Sequence, residues 1–331
     1  MSGVRGAGLL VAFALLASCG PPAAPAIAGT PPRAGRFGSL RDFVLIDRGR
    51  GAPLFVDRFE VTRGDWAEFA ATAAGREVGA EQAIADGNPA LPVGYVDLRQ
   101  ARAFARWRFA RLPRQDEWAA AIGDGRHQFP WGSKEDPTRA NTGELGLGEP
   151  VPVGTFEAGR RAGGNQPYDL IGNVSEWTES VSFGWTANQL DPVASCMVGR
   201  DRLLRTPAFA VWGWPGGLVP LVLAAAAGGE RVPRDAVGSD FLSPMAVTVE
   251  PVLAGDRRLR LGLRVYSTPG ELLAALLATD VKPRAEDLDQ LRRFVRRDQH
   301  RAALAAAWPT VAKPAPAEAP LYRLLHDELA P

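Results

Sequence analysis

QPYDLIGNVSEWTE occupies residues 166–179. It is short, polar and glycine-bearing, and it runs into a tryptophan, Trp177. Asp169, Gly172, Val174 and Glu176 fall at spacings 0, 3, 5 and 7. A loop with that spacing can turn two carboxylates and two main-chain carbonyls toward one point, an all-oxygen arrangement favoured by hard cations such as calcium. The same residues also suit a tight turn with Trp177 filling the core. Taken alone the stretch leaves both alternatives open, so the rest of the chain has to choose.

Composition narrows the field. Lys plus Arg number 38 and Asp plus Glu 37, so a net charge near +1 gives no reason to expect a nucleic-acid partner. With 46% hydrophobic and 23% charged residues the chain has the make-up of a soluble globular protein. Gly (36), Pro (28) and Trp (9) are plentiful, which predicts a loop-rich fold held by buried aromatics. The two cysteines, Cys19 and Cys196, exclude a disulfide framework, and the three histidines are scattered with no zinc or non-haem iron spacing.

Residues 1–19, MSGVRGAGLLVAFALLASC, carry a positive residue, Arg5, and a short apolar run from Leu9 to Leu16. This pattern predicts a signal peptide rather than a membrane span. Leu16-Ala17-Ser18-Cys19 matches the bacterial lipobox. The match implies export, lipid attachment to Cys19 and anchoring in the bacterial cell envelope, with the outer membrane favoured by Gly20. Residues 20–36 are rich in Pro and Ala and read as an extended tether.

The body begins near Phe37. PLFVDRFEVT (53–62) is strand-like, and Thr62-Arg63-Gly64-Asp65 has the spacing of a capping box ahead of a helix through Trp66 and Phe69. Asp97 with Gln100 starts a second helix, whose face carries Ala101, Phe104 and Ala105. Pro113 opens a third, through Trp118 to Ile122, and FPWG (129–132) makes a rigid aromatic turn.

In that order the pieces resemble the formylglycine-generating enzyme, or sulfatase-modifying factor, family. PLFVDRFEVTRGDWAEF resembles its opening strand and helix, and ARLPRQDEWAAAI followed by FPWGS resembles its RLPTEAEWE helix and YPWG-type turn. ANTGE, PVGTF and YDLIGNVSEWTE complete the run. The resemblance covers residues 53–180 and runs weakly to about 266. It implies an α+β, irregular, loop-rich, C-type-lectin-like fold over residues 37–268, followed by a helical C-terminal extension, 269–331. It also implies structural calcium on the Asp169 and Glu176 side chains and the Gly172 and Val174 carbonyls. A second family calcium site would begin at Asn141-Thr142, but the acid expected about fourteen residues later has no counterpart, and no such site is expected.

The family's chemistry, as the resemblance implies it, oxidises a substrate cysteine with molecular oxygen and copper(I) held by two thiolates. One thiolate is a poor substitute for two. The strand that should precede them is placed at Arg202–Trp212, with no cysteine after it, and Cys196 reads either as a lone redox thiol or as a small buried hydrophobe. Copper is therefore not expected. The expected function is that of a non-catalytic, envelope-anchored lipoprotein using a degenerate family domain as a binding or structural scaffold, with an envelope protein as partner. The alternative is an oxidoreductase of the family type acting on an exported protein or peptide.

Three further expectations concern the last third. GLVPLVLAAAAGG (217–229) reads as core or as a hydrophobic groove. Residues 244–267 read as a β-hairpin, in which Leu259, Leu261, Leu263 and Val265 alternate with Arg258, Arg260, Gly262 and Arg264, the arginines forming a solvated or ion-paired face. Helices are expected at 269–277, 285–308 and 321–329, the second with a basic face of Arg292, Arg293, Arg296, Arg297 and Arg301 that would serve a membrane surface or partner, or lie in water.

Overall fold

A computed structural model describes residues 35–49, 51–123, 129–134, 136–142, 145, 147–182, 193–199, 247–253, 257, 260–279, 282–313 and 319–330. Cys19, nearly all of the tether, the strand placed at 202–212 and the apolar run 217–229 lie outside them.

Among the described residues the architecture is α+β, with short sheets and many loops. Strand β1 (Phe43–Ile46) pairs antiparallel with β2 (Leu54–Asp57), which pairs antiparallel with β7 (Tyr266–Ser267). The second sheet is built from Val247–Leu253 (β5), Val193–Gly199 (β4), Ser175–Ser182 (β3) and Leu261–Gly262 (β6), in the order β5-β4-β3-β6. The expected hairpin at 244–267 does not form. Val247–Leu253 pairs with Val193–Gly199, while Leu261–Gly262 runs parallel to β3 at the opposite edge. Local alternation identified strands but not their partners, because pairing is settled by which face each strand must bury.

Residues 260–267 stitch the two sheets together. Leu261 and Gly262 belong to one and Tyr266 and Ser267 to the other. Between them the Leu263 and Val265 carbonyls accept from the N–H groups of Val61 (2.9 Å) and Asp57 (3.0 Å). Leu261, Leu263 and Val265 are fully buried, as the alternation predicts.

A single helical turn, α1 (Gly35–Gly38), precedes β1. The longer helices start where capping chemistry places them. In α2 (Arg63–Ala70), Thr62 accepts from the Asp65 N–H at 3.1 Å and Asp65 accepts from the Thr62 N–H at 3.0 Å, which makes the predicted capping box. This helix breaks after Ala70 and restarts as α3 (Ala73–Glu77), capped by Thr72. In α4 (Leu98–Trp107), Asp97 and Gln100 form a second capping box. Trp66 stacks on Phe104 at 5.4 Å and donates through Nε1 to the Ala80 carbonyl, so the indole is buried with its one donor satisfied. Helix α5 (Gln115–Ile122) begins two residues beyond Pro113, and Phe129 pairs with Gly132 in the FPWG turn as expected.

The C-terminal helices share the main core. They are α6 (Pro269–Leu277), α7 (Ala285–Val295), α8 (Asp298–Ala312) and α9 (Tyr322–Leu329). Phe294 packs on Phe43 (6.4 Å) and Phe55 (5.3 Å), and Leu272, Leu276 and Trp308 join the same cluster as Phe37, Phe104 and Phe109. The single helix expected over 285–308 is two helices. Arg297 takes an extended conformation (ψ 128°), and its Nη1 donates to the Arg41 carbonyl at 2.9 Å. Part of the basic face is paired within the extension: Arg296 forks onto Glu328, Arg292 faces Asp289, and Arg301 donates to the Glu328 carbonyl. The start of the body is held from both sides, since Arg36 lies 3.9 Å over the Phe109 ring beyond α4 and donates to Thr279 Oγ1 just after α6. No helix among the described residues is long and apolar enough to cross a membrane.

The break also turns His300 inward, 3% exposed, between Phe55 (5.0 Å) and Phe294 (4.6 Å), with Nδ1 facing the Phe294 carbonyl. Burial, helped by the Arg297 charge, lowers its pKa to about 4. An unfolded histidine titrates near 6.5, so between those values the unfolded chain binds more protons and stability falls as pH falls. The contribution is complete above about pH 6.5 and lost toward pH 4. In thermal melts between pH 7.5 and 4.5, His300→Leu is expected to lose less stability than the unaltered chain. Parallel curves for the two would contradict this.

Candidate cation loop and its buried charge cluster

The loop from Gln166 to Glu176 is built around backbone conformations that few residues adopt. Asp169 (φ 50°), Gly172 (φ 84°) and Asn173 (φ 57°) all lie in the left-handed region. Asn and Asp tolerate that region better than other side chains. Gly172 is required twice over, because a Cβ there would also lie 2.5 Å from the Asn141 carbonyl oxygen.

The loop leads directly into β3, where Trp177 is fully buried and donates to the Val96 carbonyl at 2.8 Å. Trp177 therefore fills the core, and the residues before it bring carboxylates together.

Glu176 is 2% exposed and holds two charged or polar partners. Its Oε1 accepts from Arg264 Nε at 2.8 Å and its Oε2 from Trp118 Nε1 at 2.8 Å. Arg264, expected in the sequence on a solvated or ion-paired face, is ion-paired but fully buried. Its Nη1 donates to the carbonyls of Asp57 and Arg58, both at 3.1 Å, and its Nη2 to those of Tyr168 (2.8 Å) and Asp169 (3.3 Å). With the Nε bond, every donor of the guanidinium is used. The residue leaves the alternating face because residues 263–265 pass between the two sheets, where both sides are interior.

Asp169, 7% exposed, accepts the Gly154 N–H on Oδ2 at 2.7 Å. A third carboxylate, Glu60, is fully buried beside it. Its Oε2 accepts from Asn173 Nδ2 (2.6 Å) and its Oε1 from the Val174 N–H (3.1 Å). Asn173 in turn accepts from Asn141 Nδ2 and from the Val151 N–H. Asn141, weighed as the start of a second cation site, spends its amide on Asn173 and on the Glu149 carbonyl.

These contacts place three buried carboxylates around one guanidinium, a surplus of negative charge inside the protein. Burial and the neighbouring charges shift each group. Burial pushes Glu60 well above the usual carboxylate range, and the Asp169 charge adds to this against Arg264. Burial likewise raises Asp169 to about 6, opposed by the Gly154 N–H. Glu176 is raised by burial and pulled back by Arg264. For Arg264 the nearby acids outweigh burial and hold the positive charge firmly.

Charge of this kind is costly unless paired or bound to a metal. The expected donor set is two carboxylates and two carbonyls, all oxygen, and each Glu176 oxygen keeps a lone pair beyond the hydrogen bond it accepts. Donor type and surplus charge both fit a hard divalent cation. Sequence reasoning missed Glu60, Asn173 and Trp118 as parts of this site. Glu60 lies in the FVDRFEVT motif, three residues past the end of β2, and the only local signal was an acid set between Phe59 and Val61.

The backbone of Cys196 lies in β4 opposite Trp177, next to the strand that carries Glu176. Among the described residues no group of three or more His, Cys, Asp or Glu side chains is gathered at metal-binding distances in the structure. The Glu60–Asp169–Glu176 cluster is therefore joined through hydrogen bonds and charge, not through a closed ligand cage.

Comparison with known proteins is consistent with this framework. Residues 47–210 match the sulfatase-modifying factor enzyme 1-like domain. Over 100 residues the chain is 39% identical to a hercynine oxygenase of Mycobacterium tuberculosis, covering 28% of this chain and 23% of that one. Over 102 residues it is 40% identical to the inactive C-alpha-formylglycine-generating enzyme 2 of Bos taurus, covering 27% and 33%. Over 141 residues it is 38% identical to a formylglycine-generating enzyme of M. tuberculosis, covering 38% and 44%. The chain thus spans between 23% and 44% of the length of these relatives. The matched residues contain the capped helices, the FPWG turn and the loop that brings Asp169 and Glu176 to Arg264, and the chain carries a domain of the formylglycine-generating enzyme, or sulfatase-modifying factor, family.

Proposed function

We propose that this chain is a non-catalytic lipoprotein of the bacterial envelope, anchored through lipid on Cys19, in which the family domain serves as a binding or structural scaffold. The carrying observation is the cysteine inventory. The whole chain has Cys19 and Cys196 and no other cysteine. With Cys19 given to the lipobox, copper(I) has no thiolate pair. The buried framework around Arg264 is meanwhile complete, which supports retention of the fold without the oxidase chemistry. One relative at 40% identity is itself described as inactive.

In this reading the surplus charge of the cation loop takes calcium, held by the Asp169 and Glu176 side chains and the Gly172 and Val174 carbonyls. Calcium there fixes the 166–176 loop, which bonds the 141–154 segment through Asp169 to Gly154 and Asn173 to Asn141, and stabilises the body for an envelope protein partner. Saturating calcium at about a hundred times its dissociation constant contributes about 2.7 kcal/mol, or roughly 5–10 °C in melting temperature. That gain should vanish in chelator and in Asp169→Ala. A melting temperature indifferent to chelator would remove the calcium assignment.

The competing reading, a family oxidoreductase, is favoured by the named oxygenase and formylglycine-generating relatives. Metal analysis of the purified full chain, with an oxygen-consumption assay on a cysteine peptide, separates the two. Calcium without copper and without turnover supports the scaffold. Stoichiometric copper with oxygen-dependent turnover overturns it.

A further inference from the structure

We propose that Glu60 is the positioning residue of the cation loop, a role that rests on the calcium reading above. Both proposed carbonyl ligands have their directions set from behind. In a trans peptide the N–H and C=O point opposite ways. The Gly172 carbonyl shares its peptide with the Asn173 N–H, which donates to the Asn141 carbonyl at 2.9 Å. The Val174 carbonyl shares its peptide with the Ser175 N–H, which donates to the Arg260 carbonyl at 2.8 Å. Each ligand carbonyl is therefore aimed away from a backbone anchor.

The residues between those two peptides are Asn173 and Val174, and Glu60 holds both. Its Oε2 takes the Asn173 amide at 2.6 Å and its Oε1 takes the Val174 N–H at 3.1 Å. Asn173 sits at φ 57°, a conformation that costs energy for any residue but glycine and persists only where the surroundings over-determine it. Glu60 supplies that determination from another part of the chain, 113 residues away. Its two oxygens are turned onto the Asn173 amide and the Val174 N–H, on either side of the peptide between the two ligand carbonyls, so its part is to aim them. Groups standing behind metal ligands in this way set the geometry and affinity of the site.

The hydrogen-bond polarity gives a specific test. Glu60→Gln puts an amide NH2 against one of two donors and breaks one contact. Combining it with Asn173→Asp reverses the pair. The introduced amide would then donate to the introduced carboxylate and still accept from the Val174 N–H, at unchanged total charge. The contact from Asn173 Nδ2 to the Val151 carbonyl is not restored, since an acceptor there faces an acceptor.

Calcium chloride is titrated calorimetrically into the full chain in detergent and into both variants, with melting temperatures taken in chelator. Glu60→Gln is expected to weaken calcium binding about 10-fold to 100-fold, the range found for groups that orient metal ligands. The double variant should recover most of that loss. Unaltered affinity in Glu60→Gln, or a double variant as weak as the single one, overturns the role of Glu60 while leaving the calcium reading standing. No calcium binding by the unaltered chain overturns both. If Glu60→Gln does not fold, Glu60→Asp carries the test, since it keeps both acceptors but withdraws them by one methylene. Weakened calcium affinity in that variant supports the role and wild-type affinity overturns it.

Discussion

Replacing Arg264 with methionine is expected to lower the melting temperature by roughly 10 °C or more. The side chain is fully buried and its five N–H donors serve Glu176 and four backbone carbonyls. Removing it leaves a carboxylate in the interior without its counter-charge, which costs about 3–5 kcal/mol. It also strands the carbonyls of Asp57, Arg58, Tyr168 and Asp169. Lysine is a poor replacement, because one ammonium cannot fork across those acceptors. Adding Glu176→Gln should return part of the loss, since the orphaned charge is then gone while Trp118 keeps its acceptor. Thermal melts of the three variants measure this. A stability for Arg264→Met within about 1 kcal/mol of the unaltered chain would show that the cluster is not a structural pin.

A chain ending at Ser267 is expected to give no soluble folded body. The helices after that point supply Leu272, Leu276, Phe294 and Trp308 to the same core that holds Phe43, Phe55 and Phe104. Each such side chain contributes about 1.5–3 kcal/mol by burial, so losing several exceeds the roughly 5–15 kcal/mol by which domains are stable. Phe294→Ala alone should cost about 3–5 kcal/mol, since it empties the space between Phe43, Phe55 and His300. Truncation also removes Glu271, which Arg111 holds at 2.8 Å. Soluble yield and near-ultraviolet circular dichroism test the expectation. Cooperative melting of the truncated chain would show that the extension is an addition to the fold and not part of its core.

Much of the fold was legible because it is written in local chemistry. Thr62 with Asp65 and Asp97 with Gln100 cap helices through groups three residues apart, so spacing alone reveals them. Thr268 with Pro269 and Glu271 starts α6 where the sequence places it. The loop before Trp177 was legible as a gathering of acids ahead of a core tryptophan.

What could not be read depends on partners far along the chain. Arg264 meets Glu176 across 88 residues and Glu60 meets Asn173 across 113. An alternating strand pattern shows that Arg264 and Leu263 face opposite ways, but it does not show that both directions are interior. Pairing of 247–253 with 193–199 rather than with 261–262 is likewise a long-range choice. The break at Arg297 follows from its reach to the Arg41 carbonyl, and no propensity within the helix announces it.

The grip of the C-terminal helices on residues 36–41 has a consequence in time. Arg36 reaches Thr279 across 243 residues and Arg297 reaches Arg41 across 256. A chain made amino end first therefore has its earliest body segment waiting for its latest one. Contacts of such separation slow folding, because the intervening chain must be ordered before they reward it. The first strand and its apolar face stay uncovered until the helices after Ser267 have been made, which makes the growing chain a natural client for holding chaperones.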